Sequence, residues 1–274
     1  MKIDIADHGC TIQWGGVYYF ALSDYPRISA WELHKLARFA QYERANGRRP
    51  RLKCKHSGLR RAAKAALREP ELVPEAVPPV KITECTACNH GGCLTDLLCH
   101  GSSVEDAKSI FSCGELRSAA RARGLPHALL AKEPRNGAGD PPDYFDYVMF
   151  AWGNCQSGDS LVMERQLGRF PTQEEFDHPF TRSVRFYFRY ESLKAHPGFL
   201  FDGYHAAKIR DALDLRAHLA ACVVPGHAWD SLASFIPDAL LHRVHCLAEE
   251  GETVLDWSEK CYDFVREVLP CSTA

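Results

Sequence analysis

The chain has 274 residues, enough for one large domain or two small ones with a hydrophobic core that needs no disulfide or metal to hold it together. Apolar residues make up 46% and charged residues 25%, as in ordinary globular proteins. The formal net charge of −2 argues neither for nor against a nucleic-acid partner, and no run of 18 apolar residues indicates a membrane span.

The first ten residues and the cysteine content point to the same compartment. Residues 1–10 carry Asp4, Asp7 and His8 and lack the apolar stretch of a secretory signal. We therefore expect an intracellular protein, cytoplasmic or nuclear. The 12 cysteines are then expected to stay reduced, because thiols are kept reduced in these compartments.

Residues 1–47 show first a strand pattern and then a helix pattern. Apolar residues alternate over 12–14 and again over 17–21, which predicts strands separated by a bulge or tight turn at Gly15-Gly16. Ser29 and Glu32 have the spacing of a capping box, which predicts a helix from about Ala30 to Asn46.

Residues 48–68 are strongly basic. They contain nine basic residues and no acidic one: Arg48, Arg49, Arg51, Lys53, Lys55, Arg60, Arg61, Lys64 and Arg68. Either they form a solvated loop and helix face, or they contact the phosphate backbone of DNA or RNA. No aromatic residue is interleaved, which argues against base stacking. Four prolines between 70 and 79 then predict a stiff connector, which divides an N-terminal region, 1–79, from a domain of residues 80–274.

Residues 80–274 carry most of the apolar periodicity and predict helices and strands in alternation, hence an α+β fold. Helices are expected after Ser103, ending at Gly114, and over 256–268. Strands are expected over 184–188 and 217–224, and a short helix followed by a strand over 229–244. Residues 202–205 (Asp-Gly-Tyr-His) predict a tight turn, either a plain turn or one that lines a cleft together with Lys208 and Arg210.

Cys85, Cys88, His90 and Cys93 form a cluster directly after the proline-rich connector. Thiolate and imidazole are ligands that Zn²⁺ prefers, so this spacing predicts a structural zinc site. The four ligands can all be local, or a distant pair can complete the site, drawn from Cys54 and His56 or from His8 and Cys10. The alternative is a loop of free or buried thiols.

The segment Leu97-Leu98-Cys99-His100-Gly101-Ser102 predicts the end of a buried strand followed by a helix start. His100 would project from the end of the strand into a cleft. Gly101 would let a ligand approach the backbone closely, because it has no Cβ. Ser102 would offer a hydroxyl group.

Several short motifs in this part of the chain resemble the ADP-ribosyltransferase superfamily. His100-Gly101-Ser102, followed by Ile110, Gly114 and Leu116, resembles the opening of the catalytic domain of poly(ADP-ribose) polymerases. Residues 114–118 (Gly-Glu-Leu-Arg-Ser) and 146–150 (Asp-Tyr-Val-Met-Phe) resemble stretches of the DarT-type DNA ADP-ribosyltransferases. Tyr147 stands near the place where the polymerases have a tyrosine that stacks on nicotinamide. The resemblance covers roughly residues 96–250.

The resemblance implies a fold, a substrate and residue roles. It implies a core of two small packed antiparallel sheets with flanking helices, NAD as substrate, and transfer of ADP-ribose to a macromolecular target, for which residues 48–68 suggest nucleic acid. His100 would hold a ribose hydroxyl, and the backbone of Gly101 would bind the nicotinamide carboxamide with help from Ser102. Tyr147 would stack on the nicotinamide ring, and Arg117, Arg121 or Arg123 would meet the pyrophosphate.

The chain departs from the family pattern at the catalytic acid. Where the family has a glutamate, this chain has His218, and a neutral imidazole supplies no negative charge to an oxocarbenium-like transition state. Glu164, Glu191 or Glu249 could take that role instead, His218 could serve in a modified mechanism, or the domain could bind NAD without transferring it.

The competing function is a zinc-containing nucleic-acid or protein-binding module without catalysis. A different nucleotide-dependent enzyme is the third alternative, although the chain has no P-loop, no G-x-G-x-x-G and no H-E-x-x-H motif.

Overall fold

The computed structural model describes most of the chain, and within it the protein has the mixed α+β structure that the sequence predicts. The described residues are 2–6, 9–13, 17–22, 24–76, 96–132, 141–153, 163, 167–169, 171–177 and 182–269. No helix in these ranges is both long enough and apolar enough to cross a membrane.

The N-terminal region forms a four-stranded sheet with two helices on one face. Its elements are β1 (Lys2–Ala6), β2 (Gly9–Gln13), β3 (Val17–Ala21), α1 (Ala30–Ala45), β4 (Arg51–Cys54), α2 (Ser57–Arg68) and a 3₁₀ turn (Pro70–Leu72). The strand order is β3-β2-β1-β4. The first three strands are antiparallel, and β4 pairs in parallel with β1 after the crossover through α1.

Local sequence signals account for the two N-terminal helices. Both hydrogen bonds of the predicted capping box at Ser29 and Glu32 are present, which confirms the start of α1. In α2 the apolar residues lie on one face and pack into the N-terminal core, while the basic residues lie on the other. The Arg44 guanidinium of α1 donates to the carbonyl oxygens of Leu67 and Arg68, so it caps the last turn of α2.

The rest of the described chain is built around a seven-stranded sheet of order β13-β12-β8-β5-β7-β10-β9. Its strands are β5 (Leu97–Ser102), β7 (Tyr147–Trp152), β8 (Val184–Arg189), β9 (Phe199–Leu200), β10 (Ala207–Arg210), β12 (Leu219–Pro225) and β13 (Val244–Leu247). Neighbouring strands are antiparallel, except that β12 and β13 are parallel. A separate two-stranded sheet pairs β6 (Glu115–Arg117) with β11 (Ala212–Asp214).

Short helices connect these strands, and one longer helix follows the last of them. They are α3 (Val104–Cys113), α4 (Ala119–Arg123), α5 (His127–Leu130), α6 (Gln173–Asp177), α7 (Tyr190–Lys194), α8 (Leu215–His218), α9 (Trp229–Leu232) and α10 (Val254–Val268). A 3₁₀ helix, Pro142–Asp146, leads into β7. As predicted, Ser103 caps the start of α3 and Gly114, in the left-handed conformation, ends it.

The two faces of the large sheet are covered differently. One face carries the main hydrophobic core, to which Leu98, Phe150 and Phe186 contribute. On the other face, α10 packs through Trp257 over the half formed by β12, β8 and β5. The half formed by β7 and β10 meets α1 instead, because Tyr42 of α1 contacts side chains of that half. The N-terminal region therefore covers part of the large sheet.

Four details of the structure differ from the expected fold. The strands of the C-terminal region join into one sheet through β7 rather than forming two packed antiparallel sheets. β5 continues to Ser102, so His100 lies inside a strand and not at its end. Residues 217–218 close a helical turn, because the Asp214 carboxylate caps that turn, and the strand begins at Leu219. The strand expected within 229–244 spans Val244–Leu247.

Candidate functional site

The predicted site segment lies where two strands of the large sheet separate. β5 and β7 pair at only two positions, Leu98 with Trp152 and Cys99 with Ala151. The preceding four residues of β7 pair with β10 on its other side. The edges of β5 and β7 therefore diverge from His100 onward, and a sheet that splits in this way exposes backbone groups between the two strands.

His100 occupies the point of separation. Its Nδ1 lies 3.1 Å from the carbonyl oxygen of Met149, and its ring centroid is 6.0 Å from that of Phe150. A carbonyl oxygen only accepts, so Nδ1 carries the hydrogen and donates it to Met149. The imidazole thus donates to the Met149 carbonyl oxygen in place of a backbone N–H group of a neighbouring strand. The side chain is half-buried rather than sealed in the core.

Gly101 and Ser102 follow His100 along β5 but differ in what they offer a ligand. Gly101 is half-buried and stands opposite Arg185 of β8. Ser102 is buried, and its hydroxyl donates to the carbonyl oxygen of Ser103 at 3.0 Å. The Ser102 hydroxyl is therefore already engaged within the protein, whereas the backbone of Gly101 borders the gap.

Tyr147 is the first residue of β7, opposite Arg210 of β10, and its side chain is half-buried. Burial raises its pKa, Arg210 opposes this shift, and the nearby Asp143 carboxylate adds to it. Because side chains alternate along a strand, Tyr147 and Met149 point to the face opposite Phe150. Tyr147 therefore shares a sheet face with Gly101, while the His100 ring lies on the Phe150 side.

Arg117 lies in the small two-stranded sheet and is tied to acidic neighbours. Its Nε donates to Glu115 at 3.1 Å, and the same Glu115 carboxylate accepts from Arg121, which also pairs with Asp211. These arginines therefore form a surface network with carboxylates. A pyrophosphate would have to compete with Glu115 for Arg117.

The structure does not bring His218 to the other site residues. Its Nδ1 lies 3.0 Å from Ser192 Oγ, and its ring packs edge-on against His196 at 5.3 Å. Burial and His196 both lower its pKa. In the sheet register the residue of β12 in line with Gly101 is Val223. Leu219, where β12 begins, lies opposite Phe188, about 10 Å further along the strand direction, and His218 lies beyond that point.

The alternative glutamates are not close to Gly101 either. Glu191 is exposed in the first turn of α7. Glu249 follows β13, three strands from β5 and thus roughly 14 Å away, and accepts from the His227 backbone and ring. Glu164 lies outside the described residues.

The predicted zinc ligands Cys85, Cys88, His90 and Cys93 all lie outside the described residues, as does His8. Within the described ranges no three histidine, cysteine or acidic side chains are grouped to hold a metal ion. Cys10 and Cys54 pack in the N-terminal core, and burial raises the pKa of Cys10 to about 12.

No protein-family model, curated protein or solved structure matches this chain. What the site does must therefore be inferred from its own residues. Two groupings stand out in the described structure: the gap between β5 and β7, and a buried charged cluster on the β10 side of Tyr147.

The buried cluster is centred on Lys208 of β10, and the sequence pattern did not identify it as a buried site. Lys208 has no exposed side-chain surface, and its Nζ lies 2.8 Å from Asp202 Oδ2. Three tyrosine rings surround the ammonium group, with their centroids 3.1 Å (Tyr144), 4.4 Å (Tyr42) and 5.4 Å (Tyr147) from Nζ. The signal in the sequence was a lysine between two apolar strand residues, which alone does not distinguish a buried from an exposed charge.

Asp202 holds the predicted turn together. Its Oδ1 accepts the backbone N–H groups of Tyr204 and His205, and its Oδ2 contacts His205 Nδ1 at 3.1 Å. Burial alone would raise the pKa of Asp202, but Lys208 and His205 lower it well below the usual range, so the carboxylate is ionised. The turn at residues 202–205 is therefore anchored in the protein interior by Asp202 and is not a plain surface turn.

Proposed function

We propose that the protein is a NAD-dependent ADP-ribosyltransferase that acts on a macromolecular target. The observation that supports this most is the gap at the β5–β7 separation, where His100 and the Gly101 backbone meet strand β7, which carries Tyr147. Gly101 and Tyr147 share one sheet face, as an amide-binding backbone and a stacking ring would need to do.

In this proposal each residue has a defined task. The Gly101 N–H donates to the nicotinamide carboxamide oxygen, and its C=O accepts from the carboxamide nitrogen. Tyr147 stacks on the ring, and His100, with Nε2 as acceptor, binds a ribose hydroxyl on the other side of the strand gap. The acceptor nucleophile attacks the ribose carbon C1′, the bond from C1′ to nicotinamide breaks, nicotinamide leaves with the bonding electrons, and the acceptor loses a proton.

The transition state has positive charge on the ribose and needs a nearby carboxylate. His218 lies too far from Gly101 for this, so the charge must come from another residue. Asp146 directly precedes Tyr147, is about one-third exposed, and pairs with His127 at 2.8 Å. We therefore assign Asp146 as the first carboxylate to test, and His218 is not needed.

The test is incubation with radiolabelled NAD and protein, DNA and RNA acceptors. We expect label in one acceptor, and its loss in His100→Ala. His100→Asn retains a donor for the Met149 carbonyl, so it separates a structural from a ligand-binding role: with the fold intact, it should still transfer poorly. His242→Ala, an exposed histidine of the same domain, is the matched control and should label normally.

A second function has its own support. The distance of His218 from Gly101 leaves the family's acid position unfilled, which favours a nucleic-acid or protein-binding module without catalysis, with or without zinc. A thermal shift by NAD without label in any acceptor supports a binding-only domain. Stoichiometric zinc by elemental analysis, lost in Cys85→Ser, would support the zinc site.

A further inference from the structure

Six exposed basic side chains of the N-terminal region take no part in the proposed NAD site. We call them the basic ridge: Arg49, Arg51, Lys55, Arg60, Arg61 and Lys64. All six are exposed, and within the described part of the chain none of them pairs with a carboxylate. Residues 1–72 contain 14 basic and 7 acidic residues, although the whole chain is slightly acidic, so the positive charge is concentrated here.

The neighbouring basic residues are already neutralised by acids. Lys53 pairs with Asp4 at 3.2 Å, and Arg68 pairs with Glu69 at 2.8 Å. Arg48 points inward instead, where it pairs with Glu43 at 2.7 Å and Asp143 at 2.8 Å. Arg48, one of the residues for which either a phosphate contact or a solvated position was expected, is therefore engaged by two carboxylates within the protein.

The ridge has two parts on adjoining elements. Arg51 and Lys55 lie on the sheet face that the helices leave open, the α2 residues lie on the helical side, and the edge strand β4 lies between the two parts. Arg51 and Lys55 project on the same side of β4 and its extension, about 13 Å apart, with Lys53 between them. Arg60, Arg61 and Lys64 lie within about 100° of the circumference of α2, which follows β4 directly and packs against it. A groove on the exposed face of the sheet is lined by Lys53, Lys55 and Asp4, so this part of the ridge borders a concave surface in which Asp4 neutralises Lys53.

The chemistry of the ridge narrows the class of partner. The apolar side chains of α2, such as Leu59 and Leu67, are buried in the core, so the helix has no apolar face to insert into a lipid surface. Between residues 49 and 64 no large hydrophobic side chain is exposed of the kind that protein interfaces use at their centre. An extended row of cations without apolar contacts fits a phosphate backbone.

We infer that the basic ridge binds the backbone of duplex nucleic acid without reading its sequence. The absence of a stacking ring among its residues favours a duplex over a single strand. Binding itself does not depend on the proposed transferase activity. Only the further step, that the bound nucleic acid is the ADP-ribose acceptor, rests on the proposed function.

The test is fluorescence anisotropy of the full chain with labelled duplex DNA, duplex RNA, single-stranded DNA and polyglutamate over 50–300 mM salt. A duplex that contacts the three α2 cations alone predicts a slope of log K against log salt of about −3, and one that contacts all six predicts about −5. Arg61→Gln/Lys64→Gln should lower affinity on every duplex sequence and reduce the slope by about 2. Lys132→Gln/Arg216→Gln removes two exposed cations from the C-terminal region and should change neither.

Three outcomes would overturn the inference: no duplex binding at low salt, equal losses in the two double variants, or equally tight binding of polyglutamate. Tighter binding of single-stranded DNA would overturn the preference for a duplex. These measurements contain no NAD. Duplex binding could therefore be confirmed even if no acceptor is ever labelled. That result would contradict the proposed function but not the inference that the basic ridge binds nucleic acid.

Discussion

Lys208 Nζ lies 2.8 Å from Asp202 Oδ2, and neither side chain has exposed surface. Charged groups are rarely buried so completely unless they are paired and hydrogen-bonded, because removing them from water is costly. The pair also contacts residues from distant parts of the chain: Tyr42 of α1, which donates to Asp143, and Tyr144 of the turn before β7. The contacts around Lys208 and Asp202 therefore hold helix α1 of the N-terminal region against the turn that leads into β7, the strand that carries Tyr147.

Breaking this pair from one side should be worse than removing both charges. Lys208→Met leaves the Asp202 carboxylate buried without its cation, and we expect a loss of about 3–5 kcal/mol in the free energy of unfolding. Lys208→Met/Asp202→Asn should lose less than the single variant. Urea denaturation of the wild type, the double variant and both single variants, Lys208→Met and Asp202→Asn, gives the interaction free energy; additive losses would show that the two charges are not coupled.

Gly203, next to Asp202, should not tolerate a side chain. Its φ is +78°, and a Cβ would lie 1.9 Å from the carbonyl oxygen of Lys35 and 2.8 Å from the backbone nitrogen of Phe39 in α1. Gly203→Ala should cost about 3 kcal/mol or more, from backbone strain plus overlap with α1. Gly47→Ala has a similar φ of +71° but open space around it, so it should cost only about 1–2 kcal/mol by urea denaturation. Equal losses would argue against this contact between the turn and α1.

Substitution of the adjacent residues Arg48 and Arg49 should affect different properties, stability for Arg48 and duplex binding for Arg49. Arg48 pairs with the fully buried Glu43 and with Asp143, so Arg48→Gln should reduce the free energy of unfolding by about 2–3 kcal/mol. Arg49 is exposed and belongs to the basic ridge, so Arg49→Gln should leave stability within about 0.5 kcal/mol and weaken duplex binding instead. Thermal denaturation and anisotropy on both variants separate the two effects. Unchanged stability of Arg48→Gln would contradict the assigned ion pairs.

His34 predicts a pH dependence of stability in the mildly acidic range. Burial lowers its pKa, as does Arg38, and its ring stacks on Trp31 and Phe201. A histidine whose pKa is lower in the folded state stabilises the fold above its unfolded value, about 6.5, and this contribution is lost as pH falls further. His34→Phe keeps the stacking and should flatten the unfolding free energy between pH 7 and 5. An unchanged slope would show that His34 is protonated equally in both states.

Local signals in the sequence predicted several elements that the structure confirms. The capping box at Ser29 and Glu32, the Ser103 cap with Gly114 at the other end, and the apolar period of 184–188 each specify an element through neighbouring residues. Where a cap and an alternating pattern compete, the pattern can mislead: the Asp214 carboxylate turns 215–218 into a helix, although the apolar run suggested strand.

For the candidate site, the sequence identified His100, Gly101 and Tyr147 as residue types suited to a nucleotide, and it identified the basic segment. It could not determine that β7 leaves β5 at His100 to pair with β10, because strand pairing joins residues about 50 positions apart. For the same reason, it placed Arg48 on the surface and His218 beside the site.

Lys208 and Asp202 are only six residues apart, but their burial depends on Tyr42 of a distant helix, and burial is what makes their ion pair important for stability. The sequence determined local structure and available chemistry; only the tertiary structure decided which charges are buried together and which face solvent, since desolvation depends on everything packed around a group.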